Sequence, residues 1–567
     1  MHYPQLIGSL IAAALVGSGS LSADVKLPSI FGDHMVLQQD TALPVWGTAD
    51  SGEKVTVTLG NETGSAVAGA DGKWMVKLAP LPEGSTPLTM TVTGKNSLKF
   101  DDVLVGDVWV CSGQSNMEFA LGAAHDEKTE LPQATDPQLR IFLVTKKTSL
   151  DPLTDVAGKW ELCAPNTVNR FSAVGYFFGH DLRKSLNRPI GLIGTYWGGT
   201  PAQAWTSISG LQKEPSLKHF VDAADKARAD FPKANADFPA KMEAYKAEKA
   251  KWDQEVGTTY NATLKDWNDA VAQARATGAA LPSRPVPSVP APKVPTTPDG
   301  GPFLTANLYN GMLAPLIPYA IKGAIWYQGE ANAGAGLEYR VLFSRMISDW
   351  REKWGQGDFP FLFVQLAAYK PGGPNWNILR ESQTKTLALP HTGMASALDI
   401  GDPNNIHPID KHDVGHRLAV IAQTVAYGRK GVISGPLYDK FEVKGDKVQI
   451  SFTQTDSGLM IGSAPWTAPG VTPLPNTTLV GFLIAGDNKK WVPADAKIEG
   501  NTVIVSSADV SKPVAVRYAW EAAPSANLYN KEGMPASPFR TDDWVDAPPT
   551  PPTTPAAPST NAAPVTK

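Results

Sequence analysis

The chain has 567 residues, a length that predicts three or four domains rather than one. Hydrophobic residues make up 42% and charged residues 19% of the sequence, which is typical of globular proteins and excludes disorder along most of the chain. The formal net charge of -4 provides no overall positive field, so nucleic acid and anionic membranes are not expected partners.

Residues 1–23 are typical of a secretory signal peptide. Leu6 to Val16 form an apolar run, and Gly17 to Ala23 are the small residues that a signal peptidase accepts. The run is short for a transmembrane helix, and no later segment reaches the apolar length that spans a bilayer. We therefore expect a protein exported to the periplasm or the medium, with a retained anchor as the alternative.

The chain contains two cysteines, Cys111 and Cys163. Two cysteines are too few for a disulfide scaffold. A single bridge and a pair of buried thiols are both compatible with the sequence, and the apolar surroundings favour thiols.

Alternation with period two predicts a β-sandwich domain over residues 24–102, where Val55, Val57 and Leu59 are followed by Trp74, Val76 and Leu78. Residues 103–210 and 300–430 instead combine short apolar strands with helical patterns, which predicts one α/β domain with a parallel sheet. Ligands of such sheets bind at the carboxyl ends of the strands.

Residues 211–299 interrupt the α/β domain. Ala, Lys, Asp and Glu dominate up to about residue 280, and the spacing of Leu264, Trp267, Val271 and Ala274 predicts two or three amphipathic helices, followed by a proline-rich linker. Alternation returns over residues 431–546, which predicts a C-terminal β-domain with a hairpin at Glu499-Gly500-Asn501. Residues 547–567 form a proline-rich tail that we expect to be disordered.

The segment Val108 to Met117, with the sequence VWVCSGQSNM, is a buried strand that leads into a small polar turn. Ser115 in this turn is suitably placed for a nucleophile, although Met117 departs from the Gly-x-Ser-x-Gly pattern of α/β-hydrolases. Taken alone, Ser115 is equally compatible with an N-cap role at the start of a helix.

Four motifs occur in order along the chain: Gly-Gln-Ser-Asn-Met, Tyr196-Trp-Gly-Gly-Thr200, Trp326-Tyr-Gln-Gly-Glu-Ala-Asn332 and Ile406-His-Pro-Ile-Asp-Lys411. Together they resemble the sialate O-acetylesterase-like family of SGNH hydrolases, which includes bacterial carbohydrate acetylesterases. The resemblance extends from the opening segment Leu27 to Leu37 to about residue 540, except for the helical insertion. It implies a flavodoxin-like three-layer α/β domain that hydrolyses O-acetyl esters on sugars without a cofactor or a metal.

The resemblance implies Ser115 as the nucleophile and His407 as the base. An aspartate three residues before the histidine is common in SGNH hydrolases, but that position is Asn404 here. We therefore expect Asp402 to orient His407, with Asp399 and Glu330 as alternatives; a dyad helped by a backbone carbonyl is also compatible with the sequence.

The same resemblance implies that the oxyanion hole consists of the Ser115 N–H, an N–H of Gly198 or Gly199, and the Gln328 amide. Trp197, Trp326, Tyr327 and Arg380 are candidate substrate-binding residues, although core packing or support of the site is a common role for these residue types.

His407, His412 and His416 lie within ten residues, and a metal site is the rival interpretation of this cluster. The segment HDVGH lacks the glutamate of HExxH, so we expect solvated or capping histidines and no metal.

We expect an exported serine esterase that acts on an acetylated oligo- or polysaccharide. The alternatives are a catalytically inactive carbohydrate-binding protein and an SGNH esterase with a substrate other than a sugar. The sequence does not identify the acetylated glycan or the oligomeric state.

Overall fold

The N-terminal region of the computed structural model, which describes residues 24–277, 282–464 and 470–544, contains seven strands. These are β1 (Val36–Gln38), β2 (Leu43–Thr48), β3 (Lys54–Leu59), β4 (Glu62–Val67), β5 (Lys73–Leu78), β6 (Gly84–Thr93) and β7 (Ser97–Gly113). Strands β4, β3, β6, β7 and β1 lie side by side, and β2 and β5 form a separate pair. Val55, Val57, Trp74 and Val76, which the alternation directs inward, are buried. The predicted signal peptide and the predicted tail lie outside the described residues.

Strand β7 belongs to two regions at once. Its first half pairs with β6 of the N-terminal sheet, and its second half lies in the central sheet. The left-handed residue Asp102, with φ of 56°, lies where the strand passes from one region to the other, and its carboxylate accepts from Arg140 at 2.7 Å. The predicted boundary at residues 102 and 103 therefore falls inside a strand, and both regions share one hydrophobic core.

The central region contains strands and helices in alternation. In chain order these are α1 (Ser115–Glu118), α2 (Glu127–Glu130), β8 (Asp136–Leu143), β9 (Trp160–Cys163), α3 (Pro165–Val168), α4 (Ala173–Leu186), β10 (Ile190–Tyr196), α5 (Ile208–Leu211), α6 (Lys218–Trp252), α7 (Thr258–Thr277), β11 (Gly323–Tyr327), α8 (Gly336–Trp354), β12 (Phe361–Gln365), α9 (Gly373–Thr386), β13 (Thr392–Ser396) and α10 (His412–Val425). The sheet order is β13-β12-β11-β7-β10-β8-β9, with all pairs parallel except β8 and β9.

Helices cover both faces of this sheet. Trp109 on β7 packs against Phe178 of α4, with ring centroids 5.0 Å apart. Trp326 on β11 packs against Trp350 of α8 at 5.8 Å. The strand register pairs Trp326 with Ser112, so the period of two places the Trp109 and Trp326 rings on opposite faces. The predicted combination of a mainly parallel sheet with helices is confirmed, together with additional β-sheets at both ends of the chain.

The helical insertion is a single rod. Helices α6 and α7 are joined by a π-helical turn, Asp253–Gly257, and the backbone keeps right-handed helical angles throughout the junction. The insertion therefore contains two helices, α6 and α7, which the π-helical turn joins end to end. Together residues 218–277 form one continuous rod, roughly 90 Å long at 1.5 Å per residue.

The proline-rich residues 282–299, which we call the strap, run back along this rod. Three ring donors of the rod bind carbonyl groups of the strap: Trp267 Nε1 to Pro282 at 3.0 Å, Tyr260 Oη to Pro285 at 3.2 Å, and Trp252 Nε1 to Val289 at 2.7 Å. The order of these contacts makes the strap antiparallel to the rod, and it returns the chain to the body of the protein.

The C-terminal region is made of short strands, in agreement with its predicted β content. They are β14 (Leu437–Lys444), β15 (Lys447–Thr453), β16 (Leu459–Ser463), β17 (Thr472–Pro473), β18 (Phe482–Ala485), β19 (Val492–Pro493), β20 (Asp495–Glu499), β21 (Thr502–Ser506), β22 (Ala515–Tyr518), β23 (Leu528–Asn530) and β24 (Phe539–Arg540). The hairpin at Gly500 joins β20 and β21. Tyr529 donates to Asp399 at 2.9 Å, one of the contacts that fix this region to the central one. Within the described ranges, no helix is both long and apolar enough to cross a membrane.

Candidate active site

Ser115 follows the carboxyl end of β7, in the middle of the parallel sheet. The turn begins at Gly113, whose φ is +141°, and a Cβ at this position would stand 2.2 Å from the Tyr327 carbonyl oxygen. Only glycine fits so close to the neighbouring strand. Ser115 is therefore the first residue of α1, where its N–H has no acceptor within the helix.

His407 lies beside Ser115. Its Nε2 is 2.8 Å from Ser115 Oγ, which is hydrogen-bond distance for a base and its nucleophile. Burial, and then the nearby Lys411 ammonium, hold the pKa of His407 below its ordinary value of about 6.5. The imidazole is consequently neutral at pH 7 and can accept the hydroxyl proton.

The three carboxylates proposed to orient His407 are engaged elsewhere. Asp399 forms a bidentate pair with Arg417, with both distances 2.7 Å. Asp402 Oδ1 accepts from the Asn404 N–H at 2.9 Å, within its own turn. In the part of the chain that the structure describes, neither a carboxylate nor a backbone carbonyl is hydrogen-bonded to His407 Nδ1. The arrangement is a serine–histidine pair.

Glu330 contacts Asn116 instead of the histidine. Asn116 Nδ2 donates to Glu330 Oε1 at 2.5 Å and to the Ile406 carbonyl at 2.9 Å. The other carboxylate oxygen of Glu330 is buried without a hydrogen-bond partner, and burial raises the pKa of this group. Glu330 therefore acts on the site through Asn116.

Lys411 and Asn116 form a buried hydrogen-bonded pair beside the His407 loop, which we call the clamp. Lys411 Nζ donates to Asn116 Oδ1 at 2.7 Å and to the Pro408 carbonyl at 2.6 Å, and the lysine has no exposed surface. Burial lowers the pKa of Lys411 to about 7. Because Asn116 also binds the Ile406 carbonyl, both neighbours of His407 are connected to the residue that follows Ser115, Ile406 directly and Pro408 through Lys411. Asn116 and Lys411 both stand in the sequence motifs, but the motifs alone predict no role for them.

Two of the predicted oxyanion donors already have partners. The Gly198 N–H donates to Glu118 Oε2 at 2.6 Å. The Gln328 amide, fully buried, donates to Asn332 Oδ1 at 2.7 Å. In this structure the Gly198 N–H and the Gln328 amide hold loops together, so neither offers a free N–H group to an oxyanion.

The two other predicted donors fit the role better. Among the described residues, no acceptor is hydrogen-bonded to the N–H of Ser115 or of Gly199. Gly199 has φ of +76°, and a Cβ on its neighbour Gly198 would stand 3.4 Å from Ser115 Cβ. The glycine pair therefore lies directly against Ser115.

Of the candidate substrate-binding residues, only Trp197 has exposed ring surface. Trp326 and Tyr327 are 0% exposed. Arg380 is also 0% exposed, and its guanidinium donates to backbone carbonyls, such as that of Ala367 at 2.6 Å. These three side chains are core residues and have no free face for a sugar, because β11 and α9 direct them inward.

The clustered histidines are bound to separate carboxylates. His412 Nδ1 lies 2.8 Å from Asp126, and His416 Nδ1 lies 2.6 Å from Asp181, which raises the pKa of His416. No group of three or more metal-binding side chains was found in the described ranges. His412 and His416 are therefore each paired with an aspartate side chain of their own.

Cys111 and Cys163 are free, buried thiols, as their apolar surroundings favour. Burial raises the pKa of Cys163 to about 12, so neither side chain is a candidate nucleophile at neutral pH.

Known proteins that are similar to this chain show its family. Residues 105–238 and 304–423 match the family model described as carbohydrate esterase, sialic acid-specific acetylesterase, and these ranges contain both Ser115 and His407. The sialate O-acetylesterase of Mus musculus is 30% identical over 93% of this chain and 97% of its own length. The chain belongs to the sialate O-acetylesterase family. The enzyme of Homo sapiens is 27% identical over 94% of this chain and 96% of its own length.

A solved structure also matches nearly the whole molecule. A carbohydrate acetylesterase from Xanthomonas citri is 35% identical, covers 92% of this chain and 100% of its own, and superposes with a TM-score of 0.72. Family and structural match together identify the protein as a carbohydrate O-acetylesterase.

Asp402→Asn tests whether the predicted acid has a role. Because Asp402 does not contact His407, and asparagine can still accept from the Asn404 N–H, we expect kcat/KM on p-nitrophenyl acetate to stay within about tenfold of the original enzyme. Loss of a working triad aspartate costs roughly 10⁴-fold. A loss of that size, with the exposed Asp446→Asn variant unaffected, would restore Asp402 to a catalytic triad.

Lys411→Met tests the effect of the buried ammonium on His407. We expect His407 to act as the base only when its imidazole is neutral, so kcat/KM should fall as the pH drops through the pKa of His407, which lies below its ordinary value. Removing the positive charge raises that pKa, and the acid limb should move to higher pH by up to about one unit.

Lys411→Arg is the matched control, because it keeps the charge and should leave the acid limb in place even if kcat falls. Thermal melting of both variants checks that they fold. An unchanged limb in Lys411→Met would show that burial alone sets the pKa of His407.

Proposed function

We propose that this protein is an exported serine esterase that removes O-acetyl groups from carbohydrates through an acetyl-serine intermediate. The observation that carries the proposal is the 2.8 Å contact between His407 Nε2 and Ser115 Oγ at the carboxyl end of β7. The order β10-β7-β11-β12-β13 supports a flavodoxin-like SGNH domain, because these strands have the order 2-1-3-4-5 along the chain if β8 and β9, beyond β10, are set aside.

In the first half of the reaction, Ser115 Oγ attacks the acetyl carbonyl carbon while His407 Nε2 takes the hydroxyl proton. The resulting oxyanion accepts hydrogen bonds from the N–H groups of Ser115 and Gly199. When the tetrahedral intermediate collapses, the bond to the sugar oxygen breaks and His407 gives its proton to that oxygen. The sugar leaves with a free hydroxyl, and the acetyl group stays on Ser115.

In the second half, His407 takes a proton from water, whose oxygen attacks the acetyl carbonyl. Collapse of this intermediate returns the proton to Ser115 Oγ and releases acetate. The buried clamp of Asn116 and Lys411 holds the histidine loop in place while the imidazole changes its charge twice. Acetylated sialic acid and acetylated plant polysaccharide are the two substrate classes that we propose.

Ser115→Ala tests the nucleophile. We expect kcat for acetate release from p-nitrophenyl acetate and from acetylated glycans to fall by about 10⁴-fold or more, because Ser115 Oγ is the hydroxyl hydrogen-bonded to His407 Nε2. Brief reaction and acid quenching of the original enzyme should leave one acetyl group on the Ser115 peptide, detected by mass spectrometry. Full activity of Ser115→Ala, or acetylation at another residue, would contradict the mechanism.

We also propose export through the signal peptide at residues 1–23. The mature protein should be recovered from the periplasm or the medium, and N-terminal sequencing should find its first residue close to Asp24. Recovery in the cytoplasm with an intact N-terminus would contradict this part of the proposal.

A further inference from the structure

Phe303 is an exposed aromatic ring at the rim of the candidate active site. It is 59% exposed, and its ring lies 3.6 Å from the position that a Cβ on Gly199 would take. Gly198 is in turn adjacent to Ser115. The partly buried Trp197 lies on the same glycine loop. An apolar ring face is therefore available to a ligand beside the nucleophile.

A well-connected loop holds Phe303 in this position. Asp299 accepts from Thr297 Oγ1 at 2.5 Å and from the Gly301 N–H at 3.1 Å. Asn307 Nδ2 donates to the carbonyls of Asp299 and Gly301, at 2.6 and 2.9 Å. The ring exposed at the rim is thus carried by backbone that is fixed from both sides.

A groove begins next to this loop. Its volume is about 640 Å³, and its walls are residues 147–153, the end of the strap, and the part of α6 nearest the body, including Arg228 and Asn235. Arg228 fixes one wall by donating to Asp151 at 2.8 Å and to the Leu150 carbonyl at 2.6 Å. A second cavity of about 370 Å³ adjoins it and shares Leu150 and Arg228.

Residues in the wall of the groove are linked by contacts to the candidate active site. Lys147 in its wall follows Lys146, which pairs with Glu118 and lies 5.4 Å from the centre of the Trp197 ring. Glu118 accepts from the Gly198 N–H. A short series of contacts, through Glu118 and Lys146, therefore links the glycine loop beside Ser115 to the wall of the groove.

The lining of the groove favours an uncharged, hydroxyl-rich ligand. Two cations, Lys147 and Arg228, are balanced by two carboxylates, Asp151 and Asp299. The other lining groups include hydroxyls, an amide and the Phe231 ring. Aromatic faces beside hydrogen-bonding groups, in a cavity of about 300 to 1,000 Å³, suit a ligand that has both C–H faces and hydroxyls.

We infer that the groove binds the uncharged sugar residues that flank the acetylated sugar, and that Phe303 stacks on one of them. The preferred substrate is thus an acetylated glycan chain rather than a single acetylated sugar. This inference rests on the proposed function, because it takes Ser115 as the point at which the acetyl group is cleaved.

The test is the dependence of kcat/KM on chain length. The substrates are acetylated xylo-oligosaccharides and acetylated manno-oligosaccharides of one to six sugars, with O-acetylated sialic acid as a single-sugar comparison. For the original enzyme we expect kcat/KM per acetyl group to rise at least about tenfold from one sugar to the longer chains of one backbone. Phe303→Ala should reduce this gain about five- to tenfold, and Phe303→Trp should restore it.

Two further variants locate the effect. Asn235→Trp places a large ring in the groove away from Ser115 and should also reduce the gain with chain length. Phe441→Ala is the matched control, because Phe441 is an exposed phenylalanine on β14, far along the chain from the groove, and should leave the gain within twofold of the original.

Each negative outcome has a distinct meaning. Equal kcat/KM for one sugar and for the longer chains of both backbones would overturn the inference, and so would a gain that survives in both Phe303→Ala and Asn235→Trp. Absence of acetate release from every substrate, the single sugars included, would instead overturn the proposed function.

Discussion

The contact between Gly113 and the Tyr327 carbonyl is the constraint on which the site depends. A Cβ at position 113 would stand 2.2 Å from that oxygen, so any other residue would push β7 away from β11. The chain must turn at this point, because φ of Gly113 is +141°. Ser115 consequently lies, partly exposed, at the carboxyl end of the parallel sheet, where β10 and β11 flank β7 on its two sides. A substitution here would displace the nucleophile without touching it.

The same turn allows a buried polar network to position the histidine. Asn116, the residue after the nucleophile, binds the Ile406 carbonyl and accepts from Lys411, which in turn binds the Pro408 carbonyl. These bonds exist only because β7 brings Asn116 underneath a loop almost three hundred residues further along the chain. Buried ammonium groups are costly unless they are satisfied, so the network also penalises any other conformation of the His407 loop.

The insertion follows a simpler physical rule. Its aromatic residues recur every seven positions, at Phe231, Phe238, Tyr245 and Trp252, and then after eight, at Tyr260, and again after seven, at Trp267. The π-helical turn Asp253–Gly257 lies within the eight-residue step, where it accommodates the extra residue and keeps the rings on one face. The strap covers that face where Trp252, Tyr260 and Trp267 bind its carbonyls. The rod and the strap, which have little hydrophobic core of their own, thereby stabilise each other.

The sequence by itself determined the kinds of element, the order of the motifs, and the choice of Ser115 and His407, since periodicity and ordered motifs are local properties of a chain. It did not determine that Asp399 pairs with Arg417, or that Gln328 and Arg380 are buried. Nor did it determine that Asn116 and Lys411 hold the histidine loop. It also left open how the inserted helices are joined. Those features depend on which distant segments the parallel sheet brings together, and on which side chains then have to satisfy buried polar groups. Only the tertiary structure decides those pairings.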